Sequence, residues 1–402
     1  MSLTIAETPA PQKASTLSAP EVQLKIALAA SMFAGLALSP NLWMSSRPYP
    51  LSPVAQFLGE IPFPGDPIMY GVMLATLAVI AVVARPARWI ALFTALAVTM
   101  VLFDQSRLQP WFYQYLMMLI PVGLYAGGTY NSVDSPALNT CRLMMATVYF
   151  WSGLQKMHSD FTVKIFQWLT EPFARFLPHW LEAAIQPLGA VAPFIEVAIG
   201  IGLLTRRFRS YAIAGALVMH AFILLAIGPF GQNWNSIVWP WNLAMAAFLI
   251  ILFWRQPVSA RDILWPRGLK YRMVALVLFV AAPALSFFNL WDANLSYALY
   301  AGRRNTPTIF VTSAFADRLP KELLRCVYMS KRPGVIRFNL DEWSLTELGV
   351  PVYSEPRVYK NVARRLCSYE QAPSEMKLVI LQKRILFSPD KEISYDCPAL
   401  TR

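Results

Sequence analysis

Residues 148–161 read VYFWSGLQKMHSDF, the end of an apolar run in which a lysine, Lys156, stands where hydrocarbon would still be near. Followed back to residue 137, the run spans about twenty residues, the length an α-helix needs to cross a bilayer core. Composition supports that reading for the whole chain. Hydrophobic residues make up 56% of 402 positions and charged residues 14%, with a mean hydropathy of +0.42, far from an ordinary soluble domain. Further apolar spans lie near 22–39, 67–84, 88–104, 110–127, 188–205, 210–228, 236–254 and 271–289. The 110–127 span is the weakest, broken by Pro121 and Gly123. The expected fold is a polytopic α-helical membrane protein of about nine transmembrane helices with a small C-terminal extracytoplasmic α+β domain.

Basic residues set the sidedness. Arg85 and Arg88, then Arg206, Arg207 and Arg209, then Arg255, Arg261, Arg267, Lys270 and Arg272 fall in three connections on one side of nine alternating helices. The positive-inside rule makes that side cytoplasmic. The N-terminus is then cytoplasmic and the C-terminal domain lies outside, with a bacterial inner membrane as the expected location. Residues 1–21, rich in Pro, Ser, Thr and Ala, read as a disordered cytoplasmic tail. The net charge of +12 follows from this bias and from the external tail, so it calls for membrane lipid rather than nucleic acid as a partner.

From residue 290 to 402 the composition changes. TIFVTSA and GVIRFNL read as strands, LPKELLRCVY and EPRVYKNVARRLCSY as helices, and MKLVILQKRILF alternates like a half-buried strand. DEWSLTELG, residues 341–349, reads as a helix closed by a glycine cap. Cys326, Cys367 and Cys397 all fall here, which in an oxidising compartment predicts one disulfide and one thiol left over, the pairing open. Cys141 reads as a small core residue.

Ionisable groups inside apolar spans cost at least about 2.5 kcal/mol each, so they face protein or a water-filled cavity. On the 137–157 span, Arg142, Tyr149, Ser152, Gly153 and Lys156 share one helical face. The plain account of Lys156 is snorkelling to the headgroups. Glu196 and His220, mid-span on the next two helices, cannot snorkel, and three ionisable groups on consecutive helices point to one interior. Gly200 and Gly202 would admit a close helix or a flat ligand. At the outer helix ends, Asp104, Trp111, Trp234, Asn235, Trp241 and Asn242 concentrate polar and aromatic groups. The expected ligand site is an outward-facing cavity lined by Lys156, Asp104 and aromatics. Its catalytic residues would be Lys156, Glu196 and His220, and its binding residues Tyr149, Ser152, Gly153, Asp104, Trp111, Trp234 and Asn235. The three histidines are scattered, so no metal site is expected.

With Tyr149, Phe150, Gly153 and Lys156 in place, YFWSGLQKMHSDF resembles the Tyr-Phe-x-x-Gly-x-x-Lys stretch of the HTTM superfamily, which includes the vitamin K-dependent gamma-glutamyl carboxylases. It is also similar to the Ser-Gly-x-x-Lys helix of DoxX and MauE-like membrane proteins, and Glu196 with its glycines resembles their Glu-x-x-x-Gly segment. The resemblance is strongest over residues 137–205. It implies a cavity for a quinone-like or isoprenoid molecule, with Lys156 as the base. The outer domain of about 110 residues is small for holding a protein substrate, which speaks against carboxylation of protein glutamates. A desolvated lysine is suited to act as a base on a phenolic hydroxyl. Three functions remain open: a quinone-linked oxidoreductase or carboxylase-like enzyme; a non-catalytic membrane subunit that binds a periplasmic or lumenal protein through its C-terminal domain; and a small-solute transporter using Arg142, Glu196 and His220.

Overall fold

A computed structural model describes residues 19–55, 57–126, 130–265, 269–330, 335–382 and 390–401. Most of the expected tail, residues 1–18, lies outside them, as does the end of the MKLVILQKRILF stretch. The chain is mostly helical. The principal helices are α1 (Ala19–Leu38), α2 (Gly65–Val82), α3 (Ala87–Phe103), α4 (Pro110–Leu124), α5 (Pro136–Gln155), α6 (Leu188–Leu204), α7 (Arg209–Ile227), α8 (Val238–Phe253) and α9 (Tyr271–Phe288). Each apolar span of the sequence is therefore a helix. Among the described residues four, namely α1, α2, α7 and α9, are long and apolar enough to cross a membrane, while α3, α6 and α8 are apolar but shorter.

Helix-breaking residues are accommodated by side chains from elsewhere. Pro121 lies inside α4 and cannot donate to Met117, four residues back. The hydroxyl of Tyr271 supplies the missing bond, donating to the Met117 carbonyl at 2.8 Å. The short helix Gln167–Ala174 repeats the device: Pro172 leaves the Trp168 carbonyl open, and the Gln232 amide donates to it at 2.7 Å.

The two ends of the bundle differ in chemistry. At one end cations cap helix C-termini, where carbonyls lack partners and the helix dipole favours positive charge. Lys25 donates to the Val83 carbonyl after α2, Arg142 to Leu252 on α8, and Arg209 to Leu203 on α6. Of these, Arg209 belongs to the basic connections expected from the sequence, while Lys25 and Arg142 lie inside apolar spans. The other end carries the C-terminal region.

That region is a five-stranded antiparallel sheet of order β2-β3-β1-β4-β5, with β1 Thr306–Val311, β2 Val327–Met329, β3 Ile336–Phe338, β4 Met376–Gln382 and β5 Lys391–Asp396. Helices α10 (Leu340–Leu348) and α11 (Pro356–Leu366) pack beside it. The α10 reading from sequence holds in detail. Asn339 accepts from the backbone of Asp341 and Glu342, and Gly349 closes the helix at φ 74°. LPKELLRCVY is corrected: only Lys321–Leu324 is helical, because Val327 and Tyr328 pair as β2 with Phe338 and Arg337. The disulfide joins Cys367 to Cys397, leaving Cys326 as the spare buried thiol. The sheet begins at Thr306, with β1 overlapping the TIFVTSA stretch read as a strand. Residues between α9 and β1 instead lie against the helical bundle, and one apolar core runs from Leu24 through Tyr297 to Trp343 and Tyr359. Tyr49 and Trp343 meet across the junction with ring centres 5.0 Å apart, and Arg357 donates to Gln105 at 2.6 Å.

Candidate functional site

α5 is started by Ser135, whose hydroxyl accepts from the Leu138 N–H, with Pro136 at the first helical position. From there 3.6-residue periodicity puts Tyr149, Ser152 and Lys156 on one face. Lys156 is the C-terminal cap of the helix. Its ammonium turns inward, donating to Ser152 Oγ at 2.6 Å and to Glu196 Oε2 at 2.6 Å. The side chains of the pair are 15% and 9% exposed. Snorkelling is therefore not the conformation of this lysine.

The pair is short because α5 and α6 touch backbone to backbone. A Cβ on Gly153 would come within 2.7 Å of Pro193 O and Val197 N, and one on Gly200 within 2.7 Å of Ala146 O and Phe150 N. Glycines facing in both directions give the close approach seen where small residues line helix contacts. Gly153 is thus corrected from a ligand contact to a helix contact, and Gly200 from a ligand or helix contact to the latter.

A second chain of bonds begins one turn deeper. Tyr149 Oη lies 2.6 Å from His220 Nε2, and His220 Nδ1 lies 2.8 Å from Asn242 Oδ1. The Asn242 amide nitrogen donates to the Val238 carbonyl at 2.8 Å, so Oδ1 must accept. His220 then carries a proton on Nδ1, and in its neutral form it accepts the tyrosine hydroxyl at Nε2.

Both chains face one cavity of about 110 Å³, whose lining also includes Met219, Ile223, Met245 and Trp241. Tyr297, Leu299 and Tyr300, from the stretch between α9 and β1, cover it. Tyr300 is held by Asn235, which donates to its hydroxyl at 3.0 Å, and by the ring of Trp168. The indole N–H of Trp241 donates to Gln114 Oε1 at 3.0 Å.

The structure brings some of the expected site residues together and leaves others apart. Lys156, Glu196, His220, Tyr149 and Ser152 come together as expected. Trp234 and Asn235 stand behind Tyr300 rather than in the cavity, Trp234 with its ring against Trp168. Asp104 is corrected: it caps α3 and pairs with Arg47, and it accepts from the backbone of Ser52 and Ser106. Arg107, three positions further on, donates to carbonyls of Leu42, Trp43 and Met100. Trp111 packs against Gly35 and Phe112, also away from the cavity. Asn242, Tyr297 and Tyr300 were missed as site residues. Asn242 was legible by the reasoning that found His220, since it too sits inside an apolar run; the two tyrosines were not, because their run ends before them. Arg142 bonds Leu252, Ser132 and Asn139 at the opposite end of α5 from Lys156. Among the described residues no group of three His, Cys, Asp or Glu side chains is placed to hold a metal ion.

No protein-family model, curated protein or solved structure matches this chain.

Proposed function

We propose that the chain is a multi-pass integral membrane protein with its basic end cytoplasmic, and that its cavity binds a quinone-like ligand and serves proton transfer in membrane redox chemistry. The observation that carries this reading is the Lys156–Glu196 pair facing a mostly apolar cavity beside the Tyr149–His220–Asn242 chain. Insertion is supported by the large apolar side chains turned outward along the helices, such as Val218, Phe194 and Leu243 at 71%, 61% and 62% exposure, which in water would form an unusual apolar surface.

Each polar chain has a part in the proposed chemistry. Glu196 is placed to take the lysine proton, leaving an amine that receives a proton from a ligand hydroxyl. The reverse sequence delivers a proton to a ligand oxygen. Tyr149, donating to His220, offers a second hydroxyl whose proton has a defined acceptor. Electrons pass to or from a separate redox carrier, and this chain handles protons and excludes water. The cavity is small: an apolar cavity of about 150 Å³ holds a benzene ring, so about 110 Å³ suits a single ring of the ligand, the rest of which would lie outside it.

The scaffold reading meets an obstacle in the packing. Residues 291–402 share the apolar core of the helices and roof the cavity, so their removal would damage the helical part as well as any partner surface. The test of the redox reading is mass spectrometry of lipid extracted from the purified protein, followed by binding of a short-chain benzoquinone. Retention of a quinone in the wild type and its loss in Lys156→Met and Tyr149→Phe are expected. Absence of quinone together with equal binding in all three proteins would overturn the reading.

A further inference from the structure

α11 buries Val358, Tyr359, Val362 and Leu366 and carries Arg357, Lys360, Arg364 and Arg365 on its other side. Spacings of three and four make this a basic stripe. Arg357 is already taken by Asp292, and Lys360 stands 5.3 Å from the centre of the Tyr395 ring. Arg364 is held in place by the Leu400 carbonyl and the Asn361 amide oxygen. The Arg365 guanidinium is exposed and has no partner among the described residues.

Arg364 and Arg365 form one wall of an open groove of about 510 Å³. The opposite wall is the segment joining α1 to α2, including Pro48, Pro50, Leu58 and Glu60. That segment also presents Phe57 and Phe63 at 88% and 79% exposure. Two bare phenylalanines on the segment that walls the groove, across from Arg364 and the unpartnered Arg365, are a combination suited to the surface of an anionic bilayer, where rings enter the acyl boundary and cations meet phosphates. A soluble acidic peptide would account for the arginines but not for the rings.

We propose that this groove binds the headgroup of an anionic phospholipid, with Arg364 and Arg365 on its phosphate and Phe57 and Phe63 among the upper acyl carbons. The proposal rests on the membrane-spanning reading, which sets the α1–α2 segment at the bilayer surface. Glu60 on the facing lip opposes the anion and holds the preference below what Arg364 and Arg365 alone would give.

The experiment uses the full chain in nanodiscs of phosphatidylcholine with a minor fraction of phosphatidylglycerol, and measures the ratio of the two lipids retained by the protein after mild detergent extraction. Enrichment of phosphatidylglycerol is expected. Arg365→Ala, at an exposed position, should cut the enrichment about five-fold, the effect of one cation near a charged surface. Glu60→Gln should raise it, and high salt should lower it. Protein that enters the nanodiscs but shows no enrichment, or the same enrichment in both variants, overturns the lipid site and leaves the membrane reading intact. Protein that never enters them overturns both. Binding of a polyglutamate peptide, lost in Arg365→Ala, by protein in pure phosphatidylcholine discs without phosphatidylglycerol preference would overturn the lipid and assign the groove to an acidic partner.

Discussion

Lys156 and Glu196 are informative because each is held mainly by the other. Removing one partner of a buried pair leaves a charge without compensation and costs about 3 kcal/mol, whereas removing both and filling the space costs much less. Lys156→Met is therefore expected to lower the thermal midpoint in detergent, and adding Glu196→Leu should restore most of the loss. A single variant with an unchanged midpoint would mean that water already solvates the pair. Glu355 behaves differently. Burial raises its carboxyl to about 7, with Asp292 adding to the effect while the Ala293 N–H and Arg357 oppose it. A carboxyl raised on folding is stabilising when protonated, so the contribution is present below the ordinary value of 4.5 and is lost as pH rises through 7. The difference corresponds to about 3 kcal/mol. Unfolding followed from pH 4.5 to 8 should show falling stability, and Glu355→Gln should flatten that slope. Neither partnership was readable in full from sequence. Glu196 was found because a charge in an apolar run demands a reason, while Asp104 was misplaced because its partner Arg47 lies 57 positions away.

At the scale of elements, the contact of α5 with α6 positions the site. Alanine is a better helix former than glycine by about 1 kcal/mol. At Gly153 that gain is opposed by backbone atoms of α6 that cannot turn aside, and overpacking costs about 1–3 kcal/mol. Gly153→Ala is expected to destabilise the protein and weaken ligand binding together. Gly215→Ala on α7 is the control, since its nearest neighbours stand at 3.7 Å, and it should be neutral or stabilising. Both midpoints can be read by differential scanning fluorimetry. The helices themselves were legible because apolar runs of this length have few other uses. Strand β5 was not, since KEISYD carries a single aliphatic residue and is mostly exposed. The cover of the cavity was illegible for another reason: Tyr297 and Tyr300 follow the last apolar run and gain their role from where the chain turns back.

For the whole molecule, covalent and packing ties work together. The Cys367–Cys397 bond closes a separation of 30 residues, which in the chain-entropy picture contributes about 3–4 kcal/mol. Replacing both cysteines by serine should lower the midpoint accordingly under oxidising conditions, with little further effect of reductant. In the wild type reductant should reproduce the loss. An unchanged midpoint in the double variant would show that the bond is absent in the folded protein. The pairing itself required three-dimensional proximity, which the spacing of Cys326, Cys367 and Cys397 does not encode. A different consequence follows from the carbonyl that Arg142 reaches. α5, the helix bearing the site, is 20 residues long yet is not among the four helices apolar enough to cross a membrane unaided. Its guanidinium bonds Leu252 on α8, and Lys156 needs Glu196 on α6. Both partners are synthesised later than α5 itself. On the membrane-spanning reading proposed above, this helix waits during biogenesis until about a hundred further residues have emerged, the 110 positions separating Arg142 from Leu252. The site is then completed only when α8 has joined α5, since the Arg142 and Lys156 side chains find their partners on helices that follow.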